Sequence, residues 1–213
     1  SDTIGDSIMY ADASTVCVGG SLSAHAFCSS DSNNNIKYGN GALNAVTTGS
    51  NNAAIGCGAL FTNTTGSNNF AAGLEALKNN TSGGCNTAIG AYALCCSTTA
   101  SSNTAIGSHS LRLNTTGQRN VAIGSCALCS NTTAGTNVAI GFQTLRDNTT
   151  GNFNVAIGGE NLRYNTTGTK NIAIGGSTLR NNTTGSSNTA LGTYTLNANT
   201  TGSNNQAFGP FAL

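Results

Sequence analysis

Five tyrosines aside, the titratable side chains of this 213-residue chain are eight cysteines, two histidines, seven acids and eight bases. The cysteines are Cys17, Cys28, Cys57, Cys85, Cys95, Cys96, Cys126 and Cys129. An even count points to disulfides if the chain works in oxidising surroundings. Cys17 with Cys28 would close an N-terminal loop, and Cys85 with Cys95 or Cys96 would bridge neighbouring copies of a corner. Cys126-Ala127-Leu128-Cys129 matches C-x-x-C. A redox site of the thioredoxin kind needs a helix N-terminus there, and a zinc site needs a second pair in range. Disulfides, within or between subunits, are therefore favoured over metal. His109 stands between Ser108 and Ser110, and His25 lies near the start; neither has an acid spaced to complete a triad. No Gly-rich phosphate loop ending in Lys-Ser or Lys-Thr is present. The expectation is a chain that is not an enzyme and takes no cofactor.

These residues are positioned by a repeat. Gly39, Gly56, Gly73, Gly90, Gly107, Gly124, Gly141, Gly158, Gly175, Gly192 and Gly209 follow one another at 17-residue intervals without an insertion. Four residues after each stands a Leu, from Leu43 to Leu213, and four before each stands an Asn, from Asn35 to Asn205. The unit reads N-T-T-G-x-x-N-V-A-I-G-x-x-A-L-x-x. A strict period of this length is the signature of a stacked repeat architecture. It is too short for a helix pair, and its Gly and Asn-Thr-Thr content opposes helix. Val-Ala-Ile alternates as a strand does, with turn chemistry on both sides.

The reading is an all-β protein: a β-solenoid, or β-roll, of about eleven 17-residue rungs over residues 35–213, preceded by an irregular segment at 1–34. One strand is expected at Asn-Val-Ala-Ile-Gly and a second around Ala-Leu. Ile and Leu columns are expected to form the interior, with Ala and Gly columns letting another wall or chain approach. The unbroken Asn column fits an amide ladder of the kind that in-register strands make.

Composition narrows the function classes. Only 15 residues are charged, 7% of the chain against roughly 25% in an ordinary soluble domain. A net charge of +1 argues against nucleic acid as a partner. No apolar run approaches the roughly 18 residues of a membrane span, so membrane insertion is not expected. Lys78, Arg112, Arg146, Arg163 and Arg180 share one repeat position. They read either as a basic stripe for acidic glycans or an acidic neighbour, or as a solvated row, and the second is favoured. Glu75 and Glu160 also share a position, but five copies apart they cannot work as a pair.

Units such as NTTGNFNVAIGGENL and NTTGTKNIAIGGSTL resemble repeats in fibre proteins of tailed phages, large viruses and bacterial surfaces. The NVAIG core is similar to the β-roll of trimeric autotransporter adhesin heads. The resemblance implies parallel homotrimers, an extracellular, cell-surface or virion location, and a shaft without catalysis. The chain departs from these families in its eight cysteines.

The expected function is thus a structural subunit of an extracellular or virion fibre whose partners are copies of itself, with cell-surface glycans as a further expected ligand. A tail-fibre shaft or receptor-binding adhesin is one alternative, and an ice-binding solenoid, suggested by the Thr-Thr columns, is another. The N-x-[ST] sequons at Asn63, Asn80, Asn114, Asn131, Asn148, Asn165, Asn182 and Asn199 offer a row of glycosylation sites. The repeat stays in phase to Leu213, so end-to-end assembly is expected to join Ile4 and Ile8 of one copy to Phe208, Phe211 and Leu213 of another.

Overall fold

A computed structural model describes residues 32–213. Cys17, Cys28, His25, Ile4 and Ile8 lie outside the described residues, as does nearly all of the segment 1–34. Each repeat contributes one short strand: β1 (Ile36–Tyr38), β2 (Ala53–Ile55), β3 (Phe70–Ala72), β4 (Thr87–Ile89), β5 (Thr104–Ile106), β6 (Val121–Ile123), β7 (Val138–Ile140), β8 (Val155–Ile157), β9 (Ile172–Ile174), β10 (Thr189–Leu191) and β11 (Gln206–Phe208). They form one parallel sheet in sequence order, with every residue paired to the one 17 positions on, as in Ala122 to Ala139. The chain is a β-solenoid. At about 4.8 Å per rung, eleven strands give a rod roughly 50 Å long.

The walls differ from expectation in two ways. The Ala-Leu stretch is not a second strand but a run of turns. The residue two places after the register Gly and the Leu itself both have left-handed backbones, as in Cys126 (φ 55°) and Leu128 (φ 51°). This wall is still stitched from rung to rung, for example Leu128 N–H to Thr144 O at 3.0 Å. The reason lies in what must be buried. The residue three after the Gly and the Leu next to it are both buried, as in Ala127 and Leu128. A pleated strand sends successive side chains to opposite faces, so it cannot bury two neighbours on one side. A left-handed Leu costs roughly 1–2 kcal/mol, and full burial of its side chain contributes roughly 1.5–3 kcal/mol in return.

The second difference concerns the sheet. Its central Ala faces inward in every rung from β2 to β11, while the residues on either side face out. The Ile column expected in the interior is therefore on the surface, and Ala with Leu forms the dry core. The section is so thin that one Leu per rung fills it from the far wall, leaving room for only a methyl group from the sheet. The register glycines set the pitch. A Cβ on Gly141, which has φ 134°, would stand 2.5 Å from the carbonyl oxygen of Gly158.

Candidate functional site

Two Asn ladders run through the interior. In the first, expected from the sequence, the Nδ2 of Asn137 donates to Asn120 Oδ1 at 3.2 Å and to Gly151 O at 3.0 Å, while its backbone N–H also donates to Asn120 Oδ1 at 3.0 Å. The second is built from the Asn-Thr-Thr-Gly corners. There Asn165 Nδ2 donates to Asn148 Oδ1 at 2.8 Å and to Gly168 O at 2.9 Å. This overturns the glycan row. Asn63, Asn80, Asn114, Asn131, Asn148, Asn165 and Asn182 are fully buried with their amide nitrogens engaged, so the folded rod does not offer them for modification. Asn199 is half-buried at the last such corner and uses its Nδ2 in the same way, on Asn182 Oδ1 and Gly202 O. The missed signal was the recurring three-residue spacing from Asn to Gly (Ala134 after Asn131), which closes an Asn side chain onto that carbonyl.

The same corners place the paired threonines. From Thr47 to Thr183 the first hydroxyl of each pair bonds the backbone of the next rung, as in Thr149 Oγ1 to Thr166 O at 3.1 Å. The second, such as Thr150 and Thr167, is exposed. Only one Thr hydroxyl per corner is thus free for water, in single file.

Eight of the eleven described charged residues collect on the corner beyond the register Gly, whereas Lys37 lies in β1 and Arg119 and Lys170 stand exposed just before β6 and β9. Glu160 bridges two members of the basic column, accepting from Arg163 at 2.7 Å and from Arg180 at 2.9 Å. Asp147 pairs with Arg146 at 2.6 Å and Glu75 with Lys78 at 2.9 Å. Those partners raise the pKa values of Arg146 and Lys78, in each case chiefly through the hydrogen bond to the carboxylate. The guanidinium groups of Arg146, Arg163 and Arg180 all lie within 5.6 Å of the Tyr164 ring centroid. Like charges on successive rungs are thereby separated by acids and an aromatic ring. The three stacked arginines form a knit network rather than an open stripe.

The six described cysteines are unbridged. Cys85 precedes β4, whereas Cys95 and Cys96 lie beyond the turn that follows it, and no bridge joins them. The sulfurs brought together are instead those of Cys95 and Cys96, 3.7 Å apart. His109 stacks on Tyr92 at 5.2 Å and its Nδ1 lies 2.7 Å from Ser108 Oγ, and among the described residues no acid completes a relay. Among the described residues no group of three or more His, Cys, Asp or Glu is placed to hold a metal ion.

The outer face of the sheet forms a continuous uncharged surface. One row runs Ile36, Ala53, Phe70, Thr87, Thr104, Val121, Val138, Val155, Ile172, Thr189 and Gln206. The other runs Tyr38, Ile55, Ala72, Ile89, Ile106, Ile123, Ile140, Ile157, Ile174, Leu191 and Phe208. Neither row contains a charge. Phe142 and Phe153, both more than half exposed, widen the apolar belt at mid-length. At the last rung Phe208, Phe211 and Leu213 are exposed too, with Phe211 stacked on Tyr194.

No family model, no curated protein and no solved structure matches this chain.

Proposed function

We propose that the chain is a structural, non-catalytic rod that self-associates side to side through its outer sheet face, as a subunit of an extracellular or virion-surface fibre. The observation that supports this is the pair of uncharged rows along the sheet. An uncharged, largely apolar strip running the length of a roughly 50 Å rod exceeds the scattered apolar residues a monomer normally exposes. Its occupant is a second copy of the chain. The strip is corrugated at the rung spacing of about 4.8 Å, and a surface of the same pitch is what can mesh with it along the whole length. The paired charges lie off this strip, on the corner beyond the register Gly.

Sedimentation of the purified chain tests the reading. The wild type should be oligomeric at micromolar concentration, and Ile123→Lys with Ile140→Lys should be a folded monomer, since both side chains face out. A monomeric wild type, or a double variant that still associates, would overturn it.

A further inference from the structure

The C-x-x-C sequence of the sixth rung is not absorbed by a structural role, since its cysteines are half-buried on either side of the fully buried Ala127 and Leu128. Cys126 stands two residues after the register Gly and Cys129 five after it. In two other rungs the backbone at these two positions is hydrogen-bonded across a tight turn. The Lys78 N–H donates to Glu75 O at 3.3 Å, and the Cys95 N–H to Tyr92 O at 3.4 Å. Their side chains meet as well, as in Glu75 with Lys78 and Glu160 with Arg163. A turn of this kind holds its end Cα atoms within roughly 7 Å, a range that overlaps the roughly 4.4–6.8 Å a disulfide needs. Cys126 and, from the preceding rung, the Arg112 guanidinium are the electrostatic neighbours of the Cys129 thiol. Arg112 Nε is itself buried without a hydrogen-bond partner.

We propose that Cys126 and Cys129 are a redox-active dithiol that closes to an intrachain disulfide by exchange with a small-molecule disulfide of the glutathione type. The Cys126 thiolate attacks one sulfur of the oxidant, whose S–S bond breaks and releases one thiol, which takes up the proton lost by Cys126. Cys129 then gives up its proton and attacks the mixed disulfide at the Cys126 sulfur, and the second thiol leaves carrying that proton. Two thiols are oxidised and one disulfide is reduced. Cys129 is the resolving sulfur, because burial and the Cys126 sulfur raise its pKa, although Arg112 opposes them. The closed ring spans Leu128 and would lock its left-handed backbone, stapling the rung to its own core.

Cys95 and Cys96 supply the contrast. Their sulfurs are only 3.7 Å apart, yet neighbouring Cα atoms are fixed about 3.8 Å apart, short of the disulfide range of roughly 4.4–6.8 Å. Burial, followed by the adjacent Cys96, pushes the Cys95 thiol up to about 11, so it stays protonated near neutrality.

Trypsin separates the two pairs. Cleavage after Arg119 and Arg146 yields a peptide with Cys126 and Cys129 as its sole cysteines, and cleavage after Lys78 and Arg112 yields one holding Cys85, Cys95 and Cys96. The full-length chain is equilibrated in graded reduced and oxidised glutathione, alkylated, digested and weighed. As the buffer becomes oxidising, the 120–146 peptide should lose both alkyl groups together and appear two hydrogens lighter, while Cys95 and Cys96 remain unlinked. Cys126→Ser should leave Cys129 alkylated throughout. A 120–146 peptide that stays doubly alkylated, carries two glutathiones, or is joined to another peptide would overturn the proposal.

Discussion

At the scale of single residues, the rod depends on side-chain amides more than on large apolar groups. Each interior Asn links two rungs, and the one break in the second ladder shows what a link contributes. Ser97 stands where the other corners around it have Asn, and both Ser97 Oγ and Asn80 Oδ1 are buried without a partner. Asn114 Nδ2 correspondingly reaches Gly117 O alone, with no neighbour in the preceding rung. The same corner has Ala100 in place of Gly, and a Cβ at the equivalent Gly66 would stand 2.4 Å from the Asn63 Oδ1. Loss of the amide and gain of the methyl thus belong together, although Asn131 tolerates Ala134 with its ladder bond from Asn148 lengthened to 3.2 Å. Ser97→Asn with Ala100→Gly should rebuild the ladder. Two satisfied buried groups are worth roughly 1–3 kcal/mol, less roughly 0.4–1 kcal/mol for the added freedom of Gly. Denaturant titration should show a higher midpoint in the double variant; a lower one would mean the Ser corner is the better packed.

At the scale of the element, inward and outward positions alternate within a strand of three residues, so neighbouring substitutions should behave oppositely. Ala139→Asp places an unpaired carboxylate in the fully buried Ala column, and no soluble folded protein is expected. Ile140→Asp sits on the half-exposed outer row and should leave the circular dichroism of the monomer unchanged while weakening association. If the two variants fail equally, the outward assignment of the Ile row is wrong. Gly141→Ala tests the stacking distance. The added methyl meets the next rung's backbone at 2.5 Å and demands a conformation that L residues rarely adopt, so a loss of several kcal/mol is expected. A near-neutral result in thermal unfolding would show that rungs can separate locally at little cost.

At the scale of the whole molecule, the two sides of the rod predict how it should respond to solution conditions. Association through an uncharged sheet face should survive an increase from about 0.05 M to about 1 M salt, because screening acts on exposed charges and not on apolar contact. Association through the Glu160–Arg163–Arg180 corner would weaken over the same range. Removal of residues 1–16 should leave the oligomer mass per unit length unchanged if the sides carry assembly. Fibres that vanish on that deletion would restore the end-to-end arrangement expected from the sequence. Thermal hysteresis is not expected from a single file of free Thr hydroxyls, and ice shaping by the wild type would revive that alternative.

What was legible in the sequence was whatever depends on repetition alone. The period of 17, the parallel in-register stacking and the Asn ladder before each strand all follow from identical residues recurring at identical spacing. The corner of paired charges was legible as a column, but its acids Asp147 and Glu160 were not legible as partners, because they sit one place after and three places before their arginines around a tight turn. Which side of the sheet is inside was decided only in three dimensions. Large-small-large alternation predicts two faces but not which is buried, and intuition assigns the larger side chains to the core. The thin cross-section reverses that choice: a left-handed Leu on the far wall fills the interior, the strand can contribute only Ala, and the larger Val and Ile are left on the surface.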